Sequence, residues 1–199
     1  MAIETTPFNV ESFRSALKNG GARSNQFLVN LNFPDFVQIA GQASSSAPFL
    51  VSAASLPGSS VNQTMVYYRG REVKLGGERT YSPWSITVLN DTSFVMRNAF
   101  DAWMNGINNL QDNSGYTRPD EYYRDLRVTQ LDRNSNPLKA YSIRGAFPLD
   151  VSEVQLDQGA NDQISSFNVT FSYQDYTTDF SGTADDGAEA GPQNSQSVA

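Results

Sequence analysis

Neither cysteine nor histidine occurs anywhere in this chain of 199 residues. The first absence excludes a disulfide framework and any thiolate nucleophile. The second excludes a histidine-based catalytic triad. Together they remove the nitrogen and sulfur ligands on which zinc sites depend. Long apolar runs are missing too: nothing approaches the ~20 residues that a membrane-spanning helix needs, so no membrane insertion is expected. The N-terminal MAIETTPFNV has no basic stretch followed by an apolar one and does not read as a signal peptide. Basic residues are few and scattered singly, 14 against 21 acids, for a net charge of −7. Nucleic-acid binders instead cluster Lys and Arg to neutralise phosphates. A phosphate-cradling glycine loop is also absent, because Gly76-Gly77 is followed by neither the further glycine nor the helix that such loops require.

What is present leans towards strand. Twelve Phe and nine Tyr accompany many Val and Thr. Asn25–Phe33 alternates, with Phe27, Val29, Leu31 and Phe33 on one face. Phe49–Ala53 reads as a second strand. Val61–Tyr68 and Arg71–Leu75 read as a hairpin turning at Arg69-Gly70. In Gly77–Asp91, GERTYSPWSITVLND, a strand over Ser82–Leu89 places Trp84, Ile86 and Val88 on a buried face. Asn90 and Asp91 then supply an N-cap for a helix over Thr92–Leu110, with Met96, Phe100, Trp103 and Ile107 on one stripe. Tyr122–Leu131 and Leu138–Gly145 form a second hairpin. Gln163–Tyr176 closes the set, with Phe167, Val169, Phe171 and Tyr173 facing the core. A short helix bearing Val10, Phe13 and Leu17 is expected near the N-terminus, capped by Asn9 and ended by Gly20-Gly21. Gly41–Pro48 is an Ala/Ser/Gly insert to which no element is assigned.

The expected fold is mainly β, an antiparallel β-sandwich or half-barrel with one packed α-helix. Residues 1–23 form an N-terminal segment, 24–180 the β domain, and 181–199 a polar tail expected to be disordered. That tail holds Asp185, Asp186 and Glu189, leaving 18 acids against 14 bases, or −4, in the rest.

Chemistry-bearing patterns are weak. Asp132-x-Asn134-x-Asn136 matches the first positions of a calcium loop, but Pro137 stands where glycine is required and Ile143 where the closing glutamate belongs. A hairpin turn is the better reading. Asp150, Glu153 and Asp157 are the nearest approach to a glycosidase carboxylate pair, and read better as a solvated acidic edge. No metal, cofactor or catalytic residue is expected. By contrast, Met65, Tyr67, Tyr68, Arg69 and Arg71 load the long hairpin with the residue types that interfaces favour.

The strand of Gly77–Asp91 running through an Asn-Asp corner into the main helix resembles the tail tube protein of contractile-tailed bacteriophages. Three further segments match in the same order. They are Ser55-Leu56-Pro57-Gly58 opening the long excursion to Arg79, Ile143–Asp157 with its Pro148 corner, and Gln163–Tyr176. The resemblance implies a structural subunit: hexameric rings that join their sheets into a closed barrel and stack into a tube. It implies DNA passing through without specific binding, and a contractile sheath outside. Baseplate, tape-measure and tail-terminator proteins would be further partners. The location would be the virion tail, after assembly in the host cytoplasm. Candidate inter-ring residues are Leu56, Pro57, Met65, Tyr67, Tyr68, Arg69, Arg71 and Val73. Candidate lumen residues are Asp125, Asp132, Asp150, Glu153 and Asp157. The alternatives are the inner tube of a related contractile injection or secretion machine and, from a different class, a virion carbohydrate-binding β-sandwich.

Overall fold

The computed structural model describes residues 10–17, 21–159 and 161–180. Its elements are α1 (Val10–Ala16), β1 (Phe27–Asn30), α2 (Ala40–Leu50), β2 (Val51–Ala54), β3 (Ser59–Tyr68), β4 (Arg71–Tyr81), β5 (Trp84–Leu89), α3 (Val95–Ile107), α4 (Pro119–Tyr122), β6 (Arg124–Leu131), β7 (Pro137–Val151), β8 (Ser166–Ser172) and β9 (Asp175–Phe180). Strand β7, 15 residues long, belongs to two layers. Its first half pairs β6 on one side and β9 on the other, while its second half pairs β8. One layer is therefore β1-β6-β7-β9 and the other β7-β8-β5-β2, all antiparallel. Gly145 makes the bend between them. Its φ of +61° is a left-handed value, its N–H donates to Asp125 Oδ1 at 3.0 Å, and an added Cβ would come within 2.9 Å of Gln174 Cγ. The register slips opposite it, between Arg124 and Leu126, as a bulge that re-aims a strand requires.

The layers close on one core. Alternation puts Val29, Leu126, Val128 and Ile143 inward from the first layer, and Trp84, Ile86, Val88, Phe167, Val169 and Phe171 from the second. Helix α3 covers them with Met96, Ala99, Phe100 and Trp103, all buried. Phe100 lies 5.1 Å from Phe33 and 5.9 Å from Phe171, centroid to centroid, within the range of favourable aromatic pairs. Both tryptophans are fully buried, and each indole finds an acceptor: Trp84 Nε1 donates to Ser55 O at 2.6 Å and Trp103 Nε1 to Tyr122 O at 2.9 Å.

Four sequence expectations need correction. Gly41–Pro48 belongs to helix α2, whose Ala43 and Ala47 are completely buried one turn apart. Alanines give little apolar signal, yet they let a helix approach its neighbours closely. In consequence the second strand starts at Val51, and Phe49 on the end of α2 is 83% exposed. Helix α3 starts at Val95, not Thr92. Asp91 does cap it, accepting the Val95 N–H at 3.0 Å, but across an intervening turn, with Phe94 at the cap position in a left-handed conformation. Finally, Gln163–Tyr176 is two strands. β8 ends at Ser172, and the chain crosses at Tyr173-Gln174 into the other layer as β9. Asn9 and Gly20 lie outside the described residues. The α1 side chains Val10 and Phe13 are exposed.

Candidate assembly surfaces

The exposed face of the first layer follows from register. Opposite its buried residues stand Asn30 on β1, Asp125 and Arg127 on β6, Ser142 and Arg144 on β7, and Asp175, Thr177 and Asp179 on β9. Cross-strand partners neutralise both arginines. Arg144 donates to the two oxygens of Asp175 at 2.6 and 2.8 Å, and Arg127 lies 3.6 Å from Asp179. The hydrogen bonds and charge of Asp175 push the Arg144 pKa further up, with Asp125 adding to it. Three carboxylates against two guanidiniums leave this face mildly acidic. The outer strands β1 and β9 each have one partner among the described residues. No further strand among the described residues pairs with their outer edges, the kind of edge through which sheets can join.

The second surface is the arm β3–β4. Its turn, Arg69-Gly70, has both residues at positive φ, 47° and 80°, the geometry that matches strand twist in a two-residue hairpin. Every residue of the arm except half-buried Gly77 is exposed. Its pairs sort into two faces. Thr64/Leu75, Val66/Val73 and Tyr68/Arg71 share one, and Met65/Lys74 and Tyr67/Glu72 the other. The first carries Val66, Tyr68, Val73 and Leu75 as an exposed apolar patch flanked by Thr64 and Arg71, on an arm that touches the body chiefly at its root. There Ser82 N–H donates to Gly58 O at 3.2 Å, Tyr176 Oη meets Ser59 Oγ at 3.2 Å, and Tyr81 packs on Tyr173 and Tyr176 at 5.9 and 5.7 Å. Burial, reinforced by the neighbouring tyrosines, raises the Tyr173 pKa.

The structure thus gathers Met65, Tyr67, Tyr68, Arg69, Arg71 and Val73 on one arm, with Leu56 exposed near its root and Pro57 buried there. The five carboxylates are not gathered. Asp125 lies on the exposed face of the first layer. Asp132 holds the β6–β7 turn, its N–H donating to Asn136 O at 2.8 Å. Asp150 is in the second half of β7, opposite Thr170, and Glu153 and Asp157 follow in the next loop. Asp175 and Asp179 are not legible as partners of Arg144 and Arg127 in the sequence, because Asp175 falls inside the single strand expected over Gln163–Tyr176 and Asp179 beyond its end. A groove of 810 Å³ between α3 and β7 has Asp101 as its one carboxylate, against the pair that glycoside hydrolysis uses. Among the described residues no group of three or more acids could hold a metal. Neither tryptophan offers a sugar platform.

Among the described residues, the surfaces left for assembly are the outer edges of β1 and β9, the exposed arm and the polar sheet face. The chain belongs to the phage tail tube protein family, whose model matches residues 22–179. It is a structural component of a virion tail. It is 30% identical to the tail tube protein of Serratia phage KSP90 over 166 residues, 82% of this chain and 93% of that one. It is 29% identical to tail tube protein gp19 of Enterobacteria phage T4 over 163 residues, 81% and 94% of the two chains. The fold is shared with a chain of the anti-feeding prophage baseplate (TM-score 0.56, 18% identity, covering 79% of this chain and 94% of that one). It is shared also with one of the sheath–tube complex of the extracellular contractile injection system PVC (TM-score 0.54, 16% identity, 83% and 97%).

Proposed function

We propose that six copies join through the first layer into a ring, and that rings stack into a hollow conduit for DNA inside a contractile sheath. The observation that carries this is the layer β1-β6-β7-β9, whose edge strands β1 and β9 each have one partner among the described residues. Its strands alternate in direction, and their number is even. A neighbour's β1 laid beside β9 therefore continues the antiparallel pattern, and head-to-tail repetition closes a ring with no edge left. Barrel width grows with strand number, and ~16–18 strands already enclose an aqueous channel in porins. Six copies of four strands leave a wider one. The function is passive, and no residue is assigned a catalytic role. Sheath, baseplate, tape-measure and terminator proteins are the partners this role requires. The sequence relatives favour a phage tail over an injection machine, since the injection-system likeness is one of fold.

The exposed face of the first layer then lines the lumen. Asp125, Asp175 and Asp179 are its carboxylates, with Arg127 and Arg144 held in ion pairs. Duplex DNA would release counterions on a basic lining and stick, most strongly at low salt. A net acidic lining leaves it mobile. Assembled wild-type tubes are expected to show no retention of short duplex DNA at ~150 mM salt, where non-specific binders typically hold DNA at ~10⁻⁴–10⁻⁶ M. Asp175→Asn combined with Asp179→Asn frees both arginines and turns the face net basic. Retention should then appear and strengthen as salt is lowered. Tight binding by wild-type tubes would contradict the lining.

Residues 181–199 are polar, without apolar periodicity, and cannot bury a core. We propose that they are dispensable. Their deletion should leave Tm and tube length unchanged, as measured by calorimetry and electron microscopy. A large loss of either would give them a role in folding or assembly.

A further inference from the structure

We infer that the loop residues 152–159 and 161–165, together with Phe94, are the surface on which a second copy's arm seats in the next ring. The inference rests on the tube reading and names the partner surface that stacking needs.

Position is the first argument. The arm leaves the body beside Trp84, at one end of β5. The other end of β5, Leu89, leads into the 90–94 corner. The six residues of β5, five steps at ~3.4 Å each, span about 17 Å. The loop is bonded to that far corner: Asn90 N–H donates to Ser165 O at 2.9 Å, and Asn90 Nδ2 to Ser165 Oγ at 3.0 Å. The root of the arm and the loop thus lie at opposite ends of β5. A contact between unlike surfaces at opposite ends does not close on itself and propagates as a filament.

Surface character is the second. The loop end exposes Leu156 at 87%, Ile164 at 70% and Phe94 at 45%, three large apolar side chains on one end of the domain. Phe94 also holds a left-handed φ of 52°, a conformation costly for a bulky residue and a pointer to function where it persists. The arm supplies its own exposed apolar patch, Val66, Tyr68, Val73 and Leu75. Among the described residues both surfaces are exposed, and each offers the apolar area the other would bury.

Charge is the third. Residues 152–165 hold Glu153, Asp157 and Asp162 and no Lys or Arg. Residues 59–81 hold Arg69, Arg71, Lys74 and Arg79 against Glu72 and Glu78. An acidic loop therefore meets a basic arm, which steers and orients docking. Glu153 and Asp157, candidates for the lumen on sequence, here serve the joint between rings.

The absence of cysteine allows a clean test. Cysteine pairs are introduced into one chain, Val66→Cys, Val73→Cys or Leu75→Cys on the arm with Leu156→Cys or Ile164→Cys in the loop, and assembled tubes are mildly oxidised. A covalent ladder of oligomers from at least one pair is expected, and none when the same arm cysteines are combined with Leu110→Cys beside α3. In parallel, Glu153→Lys with Asp157→Lys should raise the protein concentration needed for assembly roughly tenfold or more. Adding Arg69→Asp and Arg71→Glu should recover most of that loss. Wild-type tubes with no ladder from any pair, and with assembly indifferent to the charge reversals, would overturn the inference and leave the tube reading standing. A wild-type chain that forms no tubes would overturn both.

Discussion

Replacing Val61–Leu75 by a short Gly-Ser turn should leave a folded protein that no longer elongates into tubes. The deletion removes the two faces and the turn but spares the root, where Ser59 and Ser60 pair with Tyr81 and Thr80 and Tyr81 packs on Tyr173 and Tyr176. The arm buries almost nothing against its own domain, so its loss costs the isolated chain little. A stacking contact, in contrast, depends on a few well-packed apolar and aromatic anchors, and this deletion removes Val66, Tyr68 and Val73 at once. Thermal unfolding should be nearly unchanged, while sedimentation and microscopy should show single rings or monomers. Tubes of normal length from the deleted chain would remove the arm from the joint between rings.

Trp103→Ala should have the largest effect on folding itself. The indole is fully buried, lies 5.6 Å from Phe33 and 6.2 Å from Phe171, and donates to Tyr122 O. Truncation leaves a cavity where helix and both layers meet, and also an acceptor without its donor. Such changes cost ~3–5 kcal/mol, a large part of the ~5–15 kcal/mol that holds a domain together. In a domain of this size that lowers Tm by roughly 6–20 °C, and insoluble protein on expression is the expected extreme. A soluble variant with wild-type Tm would contradict this account of the core. If that variant had lost only sugar binding, the carbohydrate-binding reading would return.

The elements that could be read from the sequence are those whose side chains alternate or repeat strongly. Trp84, Ile86 and Val88 specify β5, and Met96, Phe100 and Trp103 specify α3, because large apolar residues at fixed spacing leave one face to bury. The arm was legible through Arg69-Gly70 and its aromatic load. Its two faces follow from the same two-residue turn, which pairs Tyr68 with Arg71 and Val66 with Val73; the bulge between Val61 and Gln63, nearer the root, was not legible. Helix α2 was hidden because Ala43 and Ala47 pack by being small. The break between β8 and β9 was hidden because neither proline nor glycine marks it; its one trace is a change of phase, with Asp175 standing where the inward period of Phe171 and Tyr173 would continue and Tyr176 one step out of it. That break mattered most for function. It places Asp175 and Asp179 beside Arg144 and Arg127, and only the three-dimensional pairing brings these four together.

The central claim is ring closure through the first layer, and a cryo-electron microscopy reconstruction of tubes assembled from the full chain tests it most directly. The account predicts a hollow tube whose inner wall is one continuous antiparallel barrel. Backbone hydrogen bonds should run from β9 of each copy to β1 of the next, with Asp125, Asp175 and Asp179 facing the channel. A tube whose copies meet through the second layer, with β1 and β9 left unpaired, would contradict it.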